Sequence, residues 1–157
     1  MSEASAAADR IKEAFPDAVL EVSVFRGETA VVVRREDLLH VGRFLKEEPD
    51  LAFDYLTLLS AVDLWAQEPR FEVVYQLYST RYGRRLRLKV RVPSEDPVVD
   101  SVVPLWPTAN WHEREAYDLM GVQFKDHPDL RRILLPDDWE GHPLRKDFPV
   151  LGPTRAA

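Results

Sequence analysis

FEVVYQLYSTRYGRRLRLKVRVP, residues 71–93, carries the clearest structural signal in the chain. From Arg85 to Val92 the residues alternate strictly, with Leu86, Leu88, Val90 and Val92 in one phase and Arg85, Arg87, Lys89 and Arg91 in the other. Strand side chains point alternately to opposite faces, so this pattern predicts a strand with one face in a core and the other in solvent. Phe71 to Ser79 repeats it with Phe71, Val73, Tyr75 and Leu77. Tyr82 to Arg84, containing Gly83, supplies the turn between the two, and Pro93, which has no N–H for a ladder, ends the second.

Working outward, Phe53 to Leu64 is mostly apolar and suits a central strand. Ala18 to Phe25 and Thr29 to Arg34 are rich in β-branched residues and are separated by Arg26, Gly27 and Glu28, which is hairpin spacing. Ala4 to Phe15, stopped by Pro16, and Arg35 to Glu48, stopped by Pro49, have apolar residues at helical intervals. Pro97 to Trp106 is expected to be a short helix or turn. A helix of about ten residues then follows, with Asn110 as its N-cap, Glu113 at capping-box spacing and Gly121 in the left-handed turn that ends it. Strands joined by hairpins with helices between the runs predict an α+β domain over residues 1–124. Its sheet is expected to be largely antiparallel, with the helices packed to one side.

Beyond the short apolar bridge Val122 to Phe124 periodicity stops, and Pro128, Pro136, Pro143 and Pro149 punctuate the chain. Each fixes its own φ and biases the preceding residue towards extended backbone, so residues 125–157 are expected to form an extended, proline-rich arm. The arm carries Leu130, Ile133, Leu134, Leu135, Trp139, Leu144 and Phe148, too much apolar surface for a free tail. The domain can cover part of it, but an arm of ~25 residues with this composition is more simply explained if a second protein supplies the surface.

Composition excludes several function classes. The 157 residues include no cysteine, which removes disulfides, thiolate-held iron–sulfur clusters and cysteine nucleophiles. A net charge of -6 argues against general nucleic-acid binding. The early acidic residues of MSEASAAADRIKEAF do not suit a secretory signal, and the uncharged run Tyr55 to Val62 is too short to span a bilayer. Membrane contact is therefore expected to be indirect.

Few residues suggest chemistry. His112 and Glu115 with His127 and His142 fit no metal-ligand spacing, and the two later histidines precede prolines and are expected to shape turns. Glu113, Glu115 and Asp118 would be an acid–base set only if one carboxyl were raised. Arg114 lies among them, so a charge-paired helix face is the favoured reading. The basic strand face is expected to be solvated or docked on an acidic partner. Arg131, Arg132, Arg145 and Lys146 are expected to meet carboxylates of a partner protein. No nucleophile stands with a base, so no catalytic, cofactor-binding or metal-binding residue is assigned.

FDYLTLLSAVD from Phe53, RLRLKVRVP from Arg85, LWPTANWHEREAYDLMGVQF from Leu105 and HPDLRRILLPDDWEGHPLRKDFP from His127 together resemble the C subunit of the proton-translocating NADH-quinone oxidoreductase, respiratory complex I. The resemblance covers about Leu51 to Pro149 and is most specific at its end. In the helix it rests on Glu113, Arg114, Glu115, Tyr117, Asp118 and Gly121. In the arm it rests on His127, Pro128, Leu130, Arg131, Arg132, Pro136, Asp138, Trp139, Gly141, Pro143, Leu144, Arg145, Lys146, Asp147 and Phe148.

The resemblance implies a core member of the peripheral arm, on the cytoplasmic side of the cell membrane, with no redox centre of its own. FMN, iron–sulfur clusters and quinone would be bound by other chains. The partners would be chiefly the large D subunit, which forms the quinone site, and the B subunit, which carries the terminal iron–sulfur cluster. The chain would scaffold the quinone-site module while the complex passes electrons from NADH to quinone and translocates protons. Two alternatives stand beside it: the equivalent chain of a membrane-bound nickel–iron hydrogenase, and a free-standing acid–base enzyme. Many relatives continue with an aromatic, acidic segment where this sequence ends at Ala157, so the last contacts with the D subunit are expected to be shortened.

Overall fold

The computed structural model describes residues 3–152. The segment after Gly152, where a shortened contact is expected, lies outside the described residues. In chain order the elements are α1 (Glu3–Ala14), β1 (Val19–Phe25), β2 (Glu28–Val33), a 3-10 turn (Arg35–Asp37), α2 (Leu38–Glu47), β3 (Tyr55–Asp63), β4 (Phe71–Ser79), β5 (Arg84–Val92), β6 (Val98–Asp100), α3 (Ala109–Met120) and β7 (Gln123–Lys125).

The fold is α+β, and five strands form one sheet in the order β1-β2-β5-β4-β3. Three of its neighbouring pairs are antiparallel and β2 pairs with β5 in parallel, so the sheet is mixed but largely antiparallel. The chain between β2 and β5 holds α2 and the β3–β4 hairpin, long enough for the crossover that a parallel pair requires. Alternation places the core as the sequence predicts. Leu86, Leu88, Val90 and Val92 face Phe71, Val73, Tyr75 and Leu77 across the ladder, and all eight are fully buried. Residues of α1, α2 and α3, among them Ile11, Val41 and Ala116, complete the same core from one side of the sheet.

The other face carries the basic residues of β5, three of which pair with carboxylates of this sheet. Arg87 pairs with Glu28 (2.7 Å), Lys89 with Glu72 (2.8 Å) and Arg91 with Glu21 (2.6 Å).

Phe53 to Leu64, read as a central strand, is instead the edge strand β3, because apolar content does not record which neighbours a strand has. Two further expectations change. Pro97 to Trp106 forms no helix; it holds a short strand followed by a turn at Val103–Leu105, the other expected form, and Val122 to Phe124 is more than a bridge. Val98–Asp100 and Gln123–Lys125 form a small parallel sheet with Val99 beside Phe124. Strands of three residues are too short to show alternation, which is why the sequence did not reveal them.

Candidate functional site

The described part of the arm lies against α3 and the ends of β3 and β4, and it is fastened by buried polar groups. Helix α3 starts two residues earlier than the capping pattern predicts. Thr108 is its N-cap, without a side-chain bond, and Asn110 is inside the helix. Glu113 is therefore free of any capping role and is fully buried. It accepts hydrogen bonds from Ser101 Oγ (2.6 Å) and Val102 N–H (2.7 Å), tying the helix to the end of β6. Burial pushes the Glu113 carboxyl up to about 7, against these two bonds, which favour the ionised form.

The charge-paired face expected on α3 does not form. Arg114 and Asp118 are buried and bind the arm instead of each other. Arg114 donates through Nε to the Arg131 carbonyl (3.1 Å) and through Nη2 to the Arg132 carbonyl (2.9 Å), with its guanidinium over the Trp111 ring. Asp118 Oδ2 accepts the N–H groups of Ile133, Leu134 and Leu135 at 3.1, 2.8 and 2.9 Å. Asp118 Oδ1 accepts from Arg132 Nη1 (2.8 Å). Burial alone would raise this carboxyl, but Arg132 and the three amides hold it below the usual range. Arg132 continues to the carbonyls of Trp139 (2.9 Å) and Gly141 (3.0 Å), gathering the arm's next turn.

The end of α3 is a second anchor. Gly121 takes φ 74°, and its N–H bonds back to the Tyr117 carbonyl. Arg145 Nε caps the helix by donating to the Met120 carbonyl (2.6 Å), where the helix dipole favours a cation, and its guanidinium lies over Phe71. His142 Nδ1 sits 3.0 Å from the Asp118 carbonyl oxygen, its ring edge-on to Tyr117, and Leu144 N–H donates to Leu119 (3.0 Å). His127 opens the arm, accepting Asp129 N–H at Nδ1 (2.9 Å) with Nε2 3.1 Å from the Asn110 carbonyl oxygen. Both histidines thus shape the chain around them.

A third anchor involves residues that the sequence reading missed. Asp63, the last residue of β3, is buried and accepts from Arg70 through both oxygens (2.9 and 2.8 Å), from Trp65 N–H (2.9 Å) and from Lys146 N–H (2.8 Å). Arg70 extends to Asp147 at 2.8 Å, between the Trp65 and Phe71 rings. Its guanidinium holds the Asp63 carboxyl well below the usual carboxylate range. A signal was available: Asp63 shares the inward phase of Leu59 and Ala61, and an acid in that phase must find a partner.

Other predicted residues are at the surface. Glu115, Pro128, Arg131, Pro136 and Asp138 are exposed, Arg131 pairing with Asp129, while Leu130 and Pro143 are half-buried. Arg132 and Arg145 find their partners within this chain. Lys146 contributes its main chain. Trp139 stacks on Phe148 with centroids 6.5 Å apart, and Gly141 allows that approach, since a Cβ there would lie 2.9 Å from the Phe148 ring. Leu134 (63 % exposed), Leu144 (55 %) and one edge of Trp139 (36 %) face outward. Among the described residues no group of three His, Asp or Glu side chains is placed to hold a metal ion, and no helix is long and apolar enough to cross a membrane.

Residues 31–154 match the family model of the respiratory-chain NADH dehydrogenase 30 kDa subunit. The chain is 52% identical to the C subunit of NADH-quinone oxidoreductase from Geotalea uraniireducens, over 99% of this chain and 93% of that protein. It is 54% identical to the counterpart of the same name from Geobacter sulfurreducens, over 99% and 95%. Among solved structures it is similar to a trypsin-resistant fragment of Nqo5, with TM-score 0.65 and 32% identity over 79% of this chain and 99% of the fragment. It is also similar to a chain of the membrane-bound sulfane sulfur reductase, an archaeal respiratory membrane complex, with TM-score 0.78 and 28% identity over 94% and 86%.

Proposed function

The chain belongs to the family of the respiratory-chain NADH dehydrogenase 30 kDa subunit, and from that premise we propose that it works as a non-catalytic scaffold in the peripheral arm of NADH-quinone oxidoreductase. One observation carries the scaffold reading. Arg114, Asp118, Asp63 and Arg145 are spent on holding the arm in a set path, while Leu134, Leu144 and the edge of Trp139 are left facing outward. Buried polar groups that fix a backbone, with aromatic and aliphatic side chains presented on it, form a preorganised docking surface.

In this reading the arm meets the large D subunit at the quinone site and lies near the B subunit with its terminal iron–sulfur cluster, on the cytoplasmic side of the membrane. FMN, the iron–sulfur clusters and quinone belong to other chains; this one has no cysteine with which to ligate a cluster. The chain's own contribution is positional. It holds its partners in register so that electrons pass from NADH to quinone between fixed centres.

The test is mass spectrometry of the proteins that co-purify with the tagged chain from gently solubilised membranes of its own cell. Recovery of the quinone-site, iron–sulfur and NADH-oxidising subunits together is the expected result. Recovery of a nickel–iron hydrogenase protein would assign the chain to a related complex. Turnover by the isolated chain with no partner would overturn the scaffold reading in favour of a free-standing acid–base enzyme.

A further inference from the structure

Strand β3 is an edge of the five-stranded sheet, and Tyr55, Leu58 and Val62 along it are 48, 48 and 40 % exposed. Beyond β4, no hydrogen bond from the described residues reaches the main chain of Leu58–Ala61. An open edge bearing apolar side chains is a template for another strand, and soluble proteins normally blunt or cover it. A bulge at Thr57 interrupts the register between Leu56 and Leu58, which leaves the regular stretch beyond it open.

A groove runs between this edge and α3. Leu58 to Ala61 form one wall, Glu115, Leu119 and Met120 the other, and Leu144 of the arm also lines it. Glu115 is exposed and has no ion-pair partner among the described residues. It is an uncompensated anion on an otherwise apolar wall.

We propose that an extended apolar segment of another protein of the complex adds to β3 as a sixth strand in this groove, with a lysine or arginine set against Glu115. Only a strand presents N–H and C=O groups at the spacing of the open edge; a helix has already used its own. Leu58 and Val62 select apolar side chains, and Glu115 selects a cation and fixes the register. Leu144 makes the groove continuous with the outward side of the arm, so one partner can engage both. The proposal rests on the chain's place in a multi-subunit complex.

The chain has no cysteine, so Ser60→Cys introduces a unique thiol at a position that the folded chain alone leaves exposed. In the intact complex, labelling of this thiol by a charged maleimide is expected to be about ten-fold or more slower than after dissociation in urea, because only a partner can cover it. A benzophenone maleimide there should cross-link to an apolar stretch of a different protein of the complex that contains Lys or Arg. Glu115→Lys should restore fast labelling. In the unmodified complex, amide exchange at Leu58–Ala61 should be slow, which gives a readout free of any substitution. Fast exchange and fast labelling in an assembled complex would overturn this proposal while leaving the scaffold function intact. Cross-links only to lipid or to a second copy of the chain would also overturn it. Failure to recover any complex would instead count against the scaffold function.

Discussion

Arg132 Nη1 donates to Asp118 Oδ1 at 2.8 Å, and Asp118 has no exposed surface. The ion pair joins the last turns of α3 to the arm, and the three backbone amides on the second oxygen make it the most heavily bonded contact between them. Asp118→Asn keeps the shape but removes the charge, leaving Arg132 bonded to main-chain carbonyls without its counter-ion. The expected cost is about 2–3 kcal/mol. Urea unfolding should show that loss, and trypsin should cut faster at Arg131, Arg132 and Arg145. Unchanged cleavage would mean that the arm is held elsewhere.

The Asp63–Arg70–Asp147 cluster separates a covered acid from an exposed one. Asp63 has a side-chain exposure of 1% and Asp147 one of 48%. Asp63→Asn should cost roughly 2 kcal/mol and release Lys146, whereas Asp147→Asn should cost less than about 1 kcal/mol because water screens that pair. Equal losses in denaturant unfolding would contradict this division.

Glu113 sets a pH dependence of opposite sign to the arm's acids. Its carboxyl is raised to about 7 by burial, so the folded chain holds a proton that the unfolded chain releases. Its contribution to stability is full below an unfolded value near 4.5 and falls as pH rises to about 7, by about 3 kcal/mol in all. Asp63 and Asp118 are depressed, so their contribution is present above about 3.8 and lost as pH falls below it. The stability these three groups contribute should therefore peak at about pH 4–4.5. Thermal unfolding across pH 3–9 tests this, and Glu113→Gln should flatten the alkaline limb while leaving the acid limb in place.

Gly121 is required twice. Its φ is 74°, and an added Cβ would lie 2.5 Å from the His142 ring. Gly121→Ala should cost about 2 kcal/mol or more and speed amide exchange across His142–Phe148. Gly27→Ala is the control, since φ is 83° there with nothing within 4 Å, and it should cost only about 1 kcal/mol. Equal effects would show that the arm does not press on Gly121.

Trp139→Ala should leave the unfolding transition of the domain nearly unchanged, because the ring lies at the surface, stacked on Phe148 of the arm itself. In the proposed complex it should weaken retention of the chain by about 2 kcal/mol, as expected for an aromatic anchor. Native gels of solubilised membranes read the assembled fraction; full assembly would remove Trp139 from the interface.

Much of the fold was legible because it depends on local rules. The alternation of Arg85–Val92 follows from the pleat, and Gly121 ends α3 because few other residues accept its φ. The parallel pairing of β2 with β5 was not legible, since the two strands lie far apart in sequence and neither records its neighbour. The candidate site divides in the same way. Its residue types were visible on α3 and in the arm, but Glu113 read as a capping residue and Arg114 with Asp118 as a surface pair, because spacing along a helix does not say what packs over it.

The sequence by itself therefore determined the three helices, the five longer strands, the apolar phase of β4 and β5, and an arm too apolar to be free, since these follow from side-chain period and proline geometry. Tertiary structure alone decided that Asp118 and Asp63 bind that arm's backbone and that Glu113 is sealed beneath Ser101. A carboxylate's partner is chosen by what lies within hydrogen-bond reach after the chain has folded back on itself, and residues 63 and 146 meet only then.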